Sequence, residues 1–194
     1  MVKLAKYEKD IEIESGVTFT VDGKTITAEG PKGKVQEDFT HARDVNIIHD
    51  KDNNKIIVRS LFPRTKNVAL ANTLLNLIQN MQIGVLKQFT YKMKLVYSHF
   101  PPTLVPPKRG EKKILIKNFI GERAPRITYA HGDVEIKANK EEVIITGCSK
   151  ADVGQTAANI QRTTRIRDKD KRRFQDGIFV FEKIVGDETY WKIK

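Results

Sequence analysis

The chain has 194 residues, 39% of them hydrophobic, and its 35 Lys and Arg against 24 Asp and Glu leave a formal net charge of +11. That length supports one or two domains with modest cores, and a field of that sign favours polyanions: nucleic acid first, an anionic membrane surface second. No apolar run of roughly 18 residues is present to span a bilayer. The start, Met1 to Lys6, has no apolar stretch of secretory-signal length, and the single Cys148 excludes an intramolecular disulfide framework. A cytoplasmic, reducing setting with no membrane partner is expected.

Residues 7–60 read as β-structure. Val17 to Ala28 is rich in β-branched residues around a turn at Asp22-Gly23, and Glu29-Gly-Pro-Lys-Gly-Lys34 is a second turn. Val45 to Ile48 and Lys55 to Val58 flank the polar tip His49 to Asn54 as a hairpin. The period then changes. From Asn67 to Ile83, residues Ala71, Leu74, Leu75, Ile78 and Met81 mark one face of an amphipathic helix, expected to end near Gly84. In Lys87 to Phe100, Phe89, Tyr91, Met93, Leu95 and Tyr97 alternate as in a half-buried strand that lies between two copies of a unit. Pro101-Pro102 and Pro106-Pro107 break it, and Lys108-Arg-Gly-Glu-Lys-Lys113 is a basic patch, of which Lys108, Arg109, Lys112 and Lys113 are candidate RNA contacts.

The second half repeats the order of the first. Ile114 to Ile116 is a strand, Gly121-Glu122 answers Gly33-Lys34, and the hairpin Val134–Ile136 and Val143–Thr146 answers the one that begins at Val45. A helix beginning near Val153 answers one beginning near Val68. Such near-constant spacing predicts a duplicated unit, and hence an α+β fold of two tandem repeated domains, each an antiparallel sheet with a packed helix. The boundaries are 1–84 for the N-terminal repeat, 85–181 for the C-terminal repeat with its basic arm, and 182–194 for a tail. Charge divides unevenly: residues 1–97 carry 15 Lys and Arg against 11 Asp and Glu, residues 98–194 carry 20 against 13. The second repeat is the expected anchor on a polyanion.

Its helix and arm, Lys150 to Gly177, carry the sharpest signal. Val153, Ala157, Ile160 and Thr164 fall on one helical face, and Ser149 with Asp152 has the form of a capping box. Gly154 in the first turn leaves room for another backbone or a phosphate. From Arg162 to Arg173 there are seven Lys or Arg against two Asp, with Ile166 the one apolar residue. A solvated, charge-rich loop would have the same composition. The arm is, however, fixed at both ends and Arg-rich, and the planar guanidinium fork suits phosphate recognition. With few aromatics beside it, stacking of single strands is not expected as the main mode, and phosphate and shape recognition of folded RNA is.

Chemistry of other kinds is missing from the pattern. His41, His49, His99 and His131 match no metal-ligand spacing, Cys148 reads as a small buried thiol, and Gly30 to Lys34 is too short for a phosphate loop, with Val35 where magnesium needs a hydroxyl. No active site, metal or cofactor is expected.

Val153-Gly-Gln-Thr-Ala-Ala-Asn-Ile160, the basic arm and Phe174-Gln-Asp-Gly-Ile178 together resemble the C-terminal signature of the large-subunit ribosomal protein six family. Thr27-Ala-Glu-Gly-Pro-Lys-Gly-Lys34, Asn80-Met81 and Gly84-Val85 agree in the first half, and Tyr91 to Pro101 is similar to the archaeal and eukaryotic branch. The resemblance runs from about Asp10 to Phe181. It implies a non-enzymatic, structural role on large-subunit rRNA in the ribosome, with the C-terminal domain near the sarcin–ricin loop and the site of translational GTPases. It also implies neighbouring large-subunit proteins near the stalk base. Carried onto this chain, the contact residues become Gly154, Gln155, Asn159, Arg162, Arg165, Arg167, Lys169, Lys171, Arg172, Arg173, Gln175 and Asp176. Bacterial relatives close this region with a different Tyr-Lys-Gly motif. Two other readings use the same patches: a free-standing RNA chaperone or accessory subunit of an RNA-processing complex, and an enzyme acting on nucleic acid, against which stands the lack of paired carboxylates near the arm.

Overall fold

The computed structural model describes residues 5–50, 53–108, 110–167, 169–170 and 172–193. Two compact units divide the chain, Met1–Leu86 and Lys87–Lys194.

Among the described residues of the first unit, six strands precede one helix: β1 (Lys6–Glu12), β2 (Thr18–Asp22), β3 (Thr25–Gly30), β4 (Gly33–Asp38), β5 (Asn46–Asp50), β6 (Lys55–Leu61) and α1 (Thr65–Lys87). They form two antiparallel three-stranded sheets, ordered β1-β6-β5 and β2-β3-β4. Gly23, at φ +61°, turns β2 into β3, so that Asp22 pairs with Thr25. Alternation then places Ile56 and Val58 of β6, and Ile26 and Ala28 of β3, in the core. The buried face of α1 is Ala71, Leu74, Leu75, Ile78, Met81 and Val85, the predicted stripe extended by one turn. Each of the Leu, Ile, Met and Val side chains, taken out of water, contributes roughly 1.5–3 kcal/mol, and Ala71 less. The helix does not stop at Gly84. That glycine is buried, and Gln88, at φ +60°, is the left-handed residue that follows the last turn. Gly30 has a steric reason: a Cβ there would lie 2.9 Å from both the carbonyl oxygen and Cγ2 of Val85, and the Lys32 amide donates to that oxygen at 3.0 Å. The Gly-Pro-Lys-Gly turn thus seats on the C-terminal turn of α1.

The second unit repeats the sequence of elements: β7 (Phe89–Val96), β8 (Thr103–Val105), β9 (Lys113–Lys117), β10 (Arg126–Tyr129), β11 (Glu135–Ala138), β12 (Glu142–Gly147) and α2 (Lys150–Thr163), with a 3₁₀ turn at Phe119–Gly121. Pairings β7-β12-β11 and β8-β9-β10 match β1-β6-β5 and β2-β3-β4 strand for strand. The alternating segment after α1 is therefore the opening strand of the second repeat, equivalent to β1, and no linker between copies. Two further strands, β13 (Gly177–Val185) and β14 (Glu188–Lys192), extend the sheet to β11-β12-β7-β13-β14. The stretch 182–194 is accordingly no separate tail, because its described part pairs into this sheet; Glu182 faces Lys192 and Val185 faces Glu188. The core gathers Phe89, Met93 and Leu95 of β7, Val143 and Ile145 of β12, Ile178 of β13, and Val153, Ala157 and Ile160 of α2. Cys148 is only half-buried, and its Sγ accepts from the side-chain amide of Gln88 at 3.8 Å.

Candidate nucleic-acid interface

Ser149 caps α2 as expected: its hydroxyl accepts from the Asp152 amide at 3.2 Å. The Asp152 carboxylate meets Nδ1 of His131 at 2.7 Å. From there α2 runs antiparallel along β10, tied at three levels. Thr156 Oγ1 accepts from the His131 amide (2.9 Å), Asn159 donates to the Tyr129 carbonyl (3.1 Å), and the Thr163 carbonyl accepts from Arg126 (2.7 Å).

Arg126 is the fastener of the arm. Its Nη1 also donates to the Arg165 carbonyl at 3.0 Å, while Nε and Nη2 grip both oxygens of Glu122 at 2.8 and 2.5 Å. The guanidinium lies 4.4 Å from the centre of the Phe119 ring. Hydrogen bonds from this fork, more than its charge, hold the Glu122 carboxyl below its ordinary pKa. One planar side chain thereby satisfies the carbonyls that a helix end leaves open and fixes where the basic chain begins.

Beyond it the arm has a skeleton of its own. Ile166 is buried, and the Thr164 hydroxyl accepts from the Ile178 amide at 3.3 Å, joining the start of the arm to the start of β13. The Asp170 side chain accepts from the amide of Arg172 at 3.0 Å, and the Asp170 carbonyl accepts from the amides of Arg173 and Phe174 at 3.1 and 2.9 Å. The Arg172 amide first, and then the Arg172 guanidinium, lower the Asp170 pKa. Phe174 closes the arm with Lys169 Nζ 5.0 Å from its ring centre and the His99 ring 5.8 Å away.

The candidates sort accordingly. Arg162, Arg165, Arg167, Lys169, Arg172, Arg173, Gln155 and Gln175 are exposed around the end of α2 and the arm. Arg109 and Lys171 lie outside the described residues. Arg162 and Arg167 line an open cleft of about 560 Å³ together with Arg126, Ile127 and Thr163. Lys108, Lys112 and Lys113 are exposed at the other end of the β9–β10 ladder, where Lys113 pairs with Tyr129 and the Lys112 carbonyl accepts from Ala130. Three candidates are buried or half-buried instead. Asp176 is 4% exposed and its Oδ1 accepts from the Ser98 amide at 2.5 Å, so it clamps the base of the arm to the second residue after β7. Asn159 spends its amide on Tyr129, and Gly154 is half-buried facing Tyr91, whose Cε2 lies 3.9 Å from where a Cβ would sit. A Cβ there would make ordinary van der Waals contact, so close approach does not require the glycine.

Several residues at this surface carry no local signal in the sequence. Arg126, Ile127 and Tyr129 reach it only because β10 lies beside α2, and Phe179 only because β13 returns there. Phe174 and Phe179 stand beside the arm in space, correcting the expectation of few aromatics. Among the described residues no group of three or more His, Cys, Asp or Glu is placed to hold a metal ion, and no helix is long and apolar enough to cross a membrane.

Comparison with known proteins covers most of the chain. The profile described as ribosomal protein L6 matches residues 110–177. The chain is 43% identical over 183 residues to the large ribosomal subunit protein uL6 of Staphylothermus marinus, covering 94% of this chain and 97% of that one. It is 42% identical over 184 residues to the protein of the same name in Methanosphaera stadtmanae (94% and 97%), and 39% identical over 184 residues to that of Desulfurococcus amylolyticus (94% and 98%).

Proposed function

The chain belongs to the ribosomal protein L6 family, and from that premise we propose that it is a non-enzymatic, structural component of the large ribosomal subunit, held on rRNA mainly by its second unit. The observation that carries this reading is the surface at the end of α2, where Arg162, Arg165, Arg167, Arg172 and Arg173 are displayed on a scaffold pinned by Arg126, Thr164 and Asp170. The mechanism is adhesion: each guanidinium that meets a phosphate displaces condensed counterions, and the fork fixes its register. A scaffold of this kind holds the cations at set spacings, which suits one folded RNA surface better than the varied clients of a free-standing chaperone. We place that surface near the sarcin–ricin loop, beside the translational GTPase site and the proteins of the stalk base, on the strength of the motif resemblance. Localisation on cytoplasmic ribosomes follows from the same reading.

The test is a salt titration. Replacing Arg165, Arg167, Arg172 and Arg173 with Ala should weaken binding to large-subunit rRNA and lower the slope of log K against log salt by about 3, at roughly 0.7–0.9 for each phosphate contact. The fold should survive, because all four side chains are exposed. The matched control removes the exposed Lys9, Arg43, Arg64 and Lys66 of the first unit. Equal losses of affinity and slope in both variants would show a diffuse polycation and overturn the assignment to the second unit. In a cell lysate the native chain should sediment with the large subunit, and recovery as a free protein would favour the accessory-factor reading.

A further inference from the structure

Beside the arm is a second cleft, of about 650 Å³, whose chemistry differs from the arginine surface. Ala158 and the buried Ile166 line its floor, Phe174 and Phe179 its walls, and Arg162 and Arg165 its mouth. Phe179 is 41% exposed. A Cβ on Gly177 would fall 2.5 Å from Cζ of Phe179, so the ring lies across the bare backbone of that glycine. The ladder of β14 reaches only Glu182 to Val185, and the stretch of β13 that carries Gly177 and Phe179 is left without it. Phe174 already has His99 and Lys169 as ring partners, whereas no ring or cation contact involves Phe179 among the described residues.

We propose that this cleft takes one unstacked nucleobase of the bound RNA, its ring against Phe179 and its flanking phosphates at Arg162 and Arg165. The proposal rests on the rRNA-binding reading above and adds a base-binding step to it. A nucleotide joins, at one site, a flat aromatic ring and an anion. The cleft offers the complement of both: an aromatic wall, an apolar floor and two guanidiniums at the mouth, with no carboxylate among the described residues of its lining. Unstacked bases in folded RNA are recognised by stacking on aromatic rings, which is how a protein distinguishes a bulged or looped nucleotide from a regular helix. An apolar side chain of a neighbouring protein would use the floor and leave the guanidiniums unmatched. An acidic peptide would do the reverse.

The test uses the full chain and a large-subunit rRNA fragment. Phe179→Ala should weaken binding about 5- to 150-fold, the range that stacking on an aromatic ring supplies. The loss should be the same at every salt concentration, because no phosphate contact is removed. Phe179→Tyr, which keeps the ring, should bind as the unmodified chain does. Ultraviolet crosslinking followed by mass spectrometry should join a nucleotide to Phe179 or Phe174. Thermal melts will confirm that both variants fold, and the Tyr variant keeps the question open to a negative answer should the Ala variant not fold. Unchanged affinity for Phe179→Ala, alongside a reduced slope for the arginine variant, would overturn the base site while leaving rRNA binding intact. Normal rRNA binding with failed incorporation into the large subunit would assign the cleft to a neighbouring protein and overturn the proposal too. Failure of the unmodified chain to bind the rRNA would remove both readings.

Discussion

Arg126→Ala is the substitution that separates the scaffold of the RNA surface from the surface itself. The side chain is 22% exposed and makes four hydrogen bonds, two to the Glu122 carboxylate and two to the carbonyls of Thr163 and Arg165. Hydrogen bonds to charged groups contribute roughly 1.5–3 kcal/mol each when well made, and about half that is reasonable where water can replace the donor. The four are not additive, since one planar group makes them all. Removal also strips the packing over Phe119 and leaves Glu122 without its partner. A net loss of about 2–3 kcal/mol is expected, read as a lower urea midpoint at unchanged slope. Arg126→Lys keeps the charge and loses the fork, so it should recover less than half of the difference. Affinity for rRNA, measured where the variant is still folded, should fall although Arg126 is spent on the protein itself, because the start of the arm loses its anchor. Stability within about 0.5 kcal/mol of the parent, together with unchanged RNA affinity, would refute the claim that this residue holds the arm.

Asp176→Ala should destabilise by about 1–3 kcal/mol by orphaning the Ser98 amide, while RNA affinity of the folded protein stays unchanged; a selective loss of affinity in binding titrations would return Asp176 to the contact surface. Acid should weaken the second unit through Glu122. Its folded pKa is depressed, so its contribution is full above the unfolded value near 4.5 and disappears as pH falls through the lower folded value. Glu122→Gln should therefore flatten the pH dependence of the urea midpoint in that window. Gly30→Ala should cost the first unit about 1–3 kcal/mol, read from its melting curve, because the new methyl meets the Val85 carbonyl oxygen as well as its short, β-branched side chain.

The features legible in residue order alone are local and periodic. Alternation over Phe89 to Leu95 and the stripe from Ala71 to Met81 specify strand and helix because burial on one face is a property of spacing alone. Duplication is legible for the same reason: two copies repeat the same order of spacings, and the antiparallel pairings of β1 to β6 recur in β7 to β12. The family signature and the net charge point to RNA without any coordinates. Where α1 ends was not legible, since Gly84 serves tight burial and the left-handed position falls to Gln88, a residue with no preference for it. Nor was the role of 182–194, because a short polar strand becomes regular only when β13 offers it a ladder. The sharpest difference lies in the contact set. Charge in a run is visible in one dimension, so the arm stood out. Asp176 is buried on Ser98 and Asn159 is bonded to Tyr129, partners 78 and 30 residues away in sequence. Arg126 and Phe179 joined the surface because β10 and β13 run beside the end of α2, and proximity across that distance in sequence is decided by tertiary packing alone.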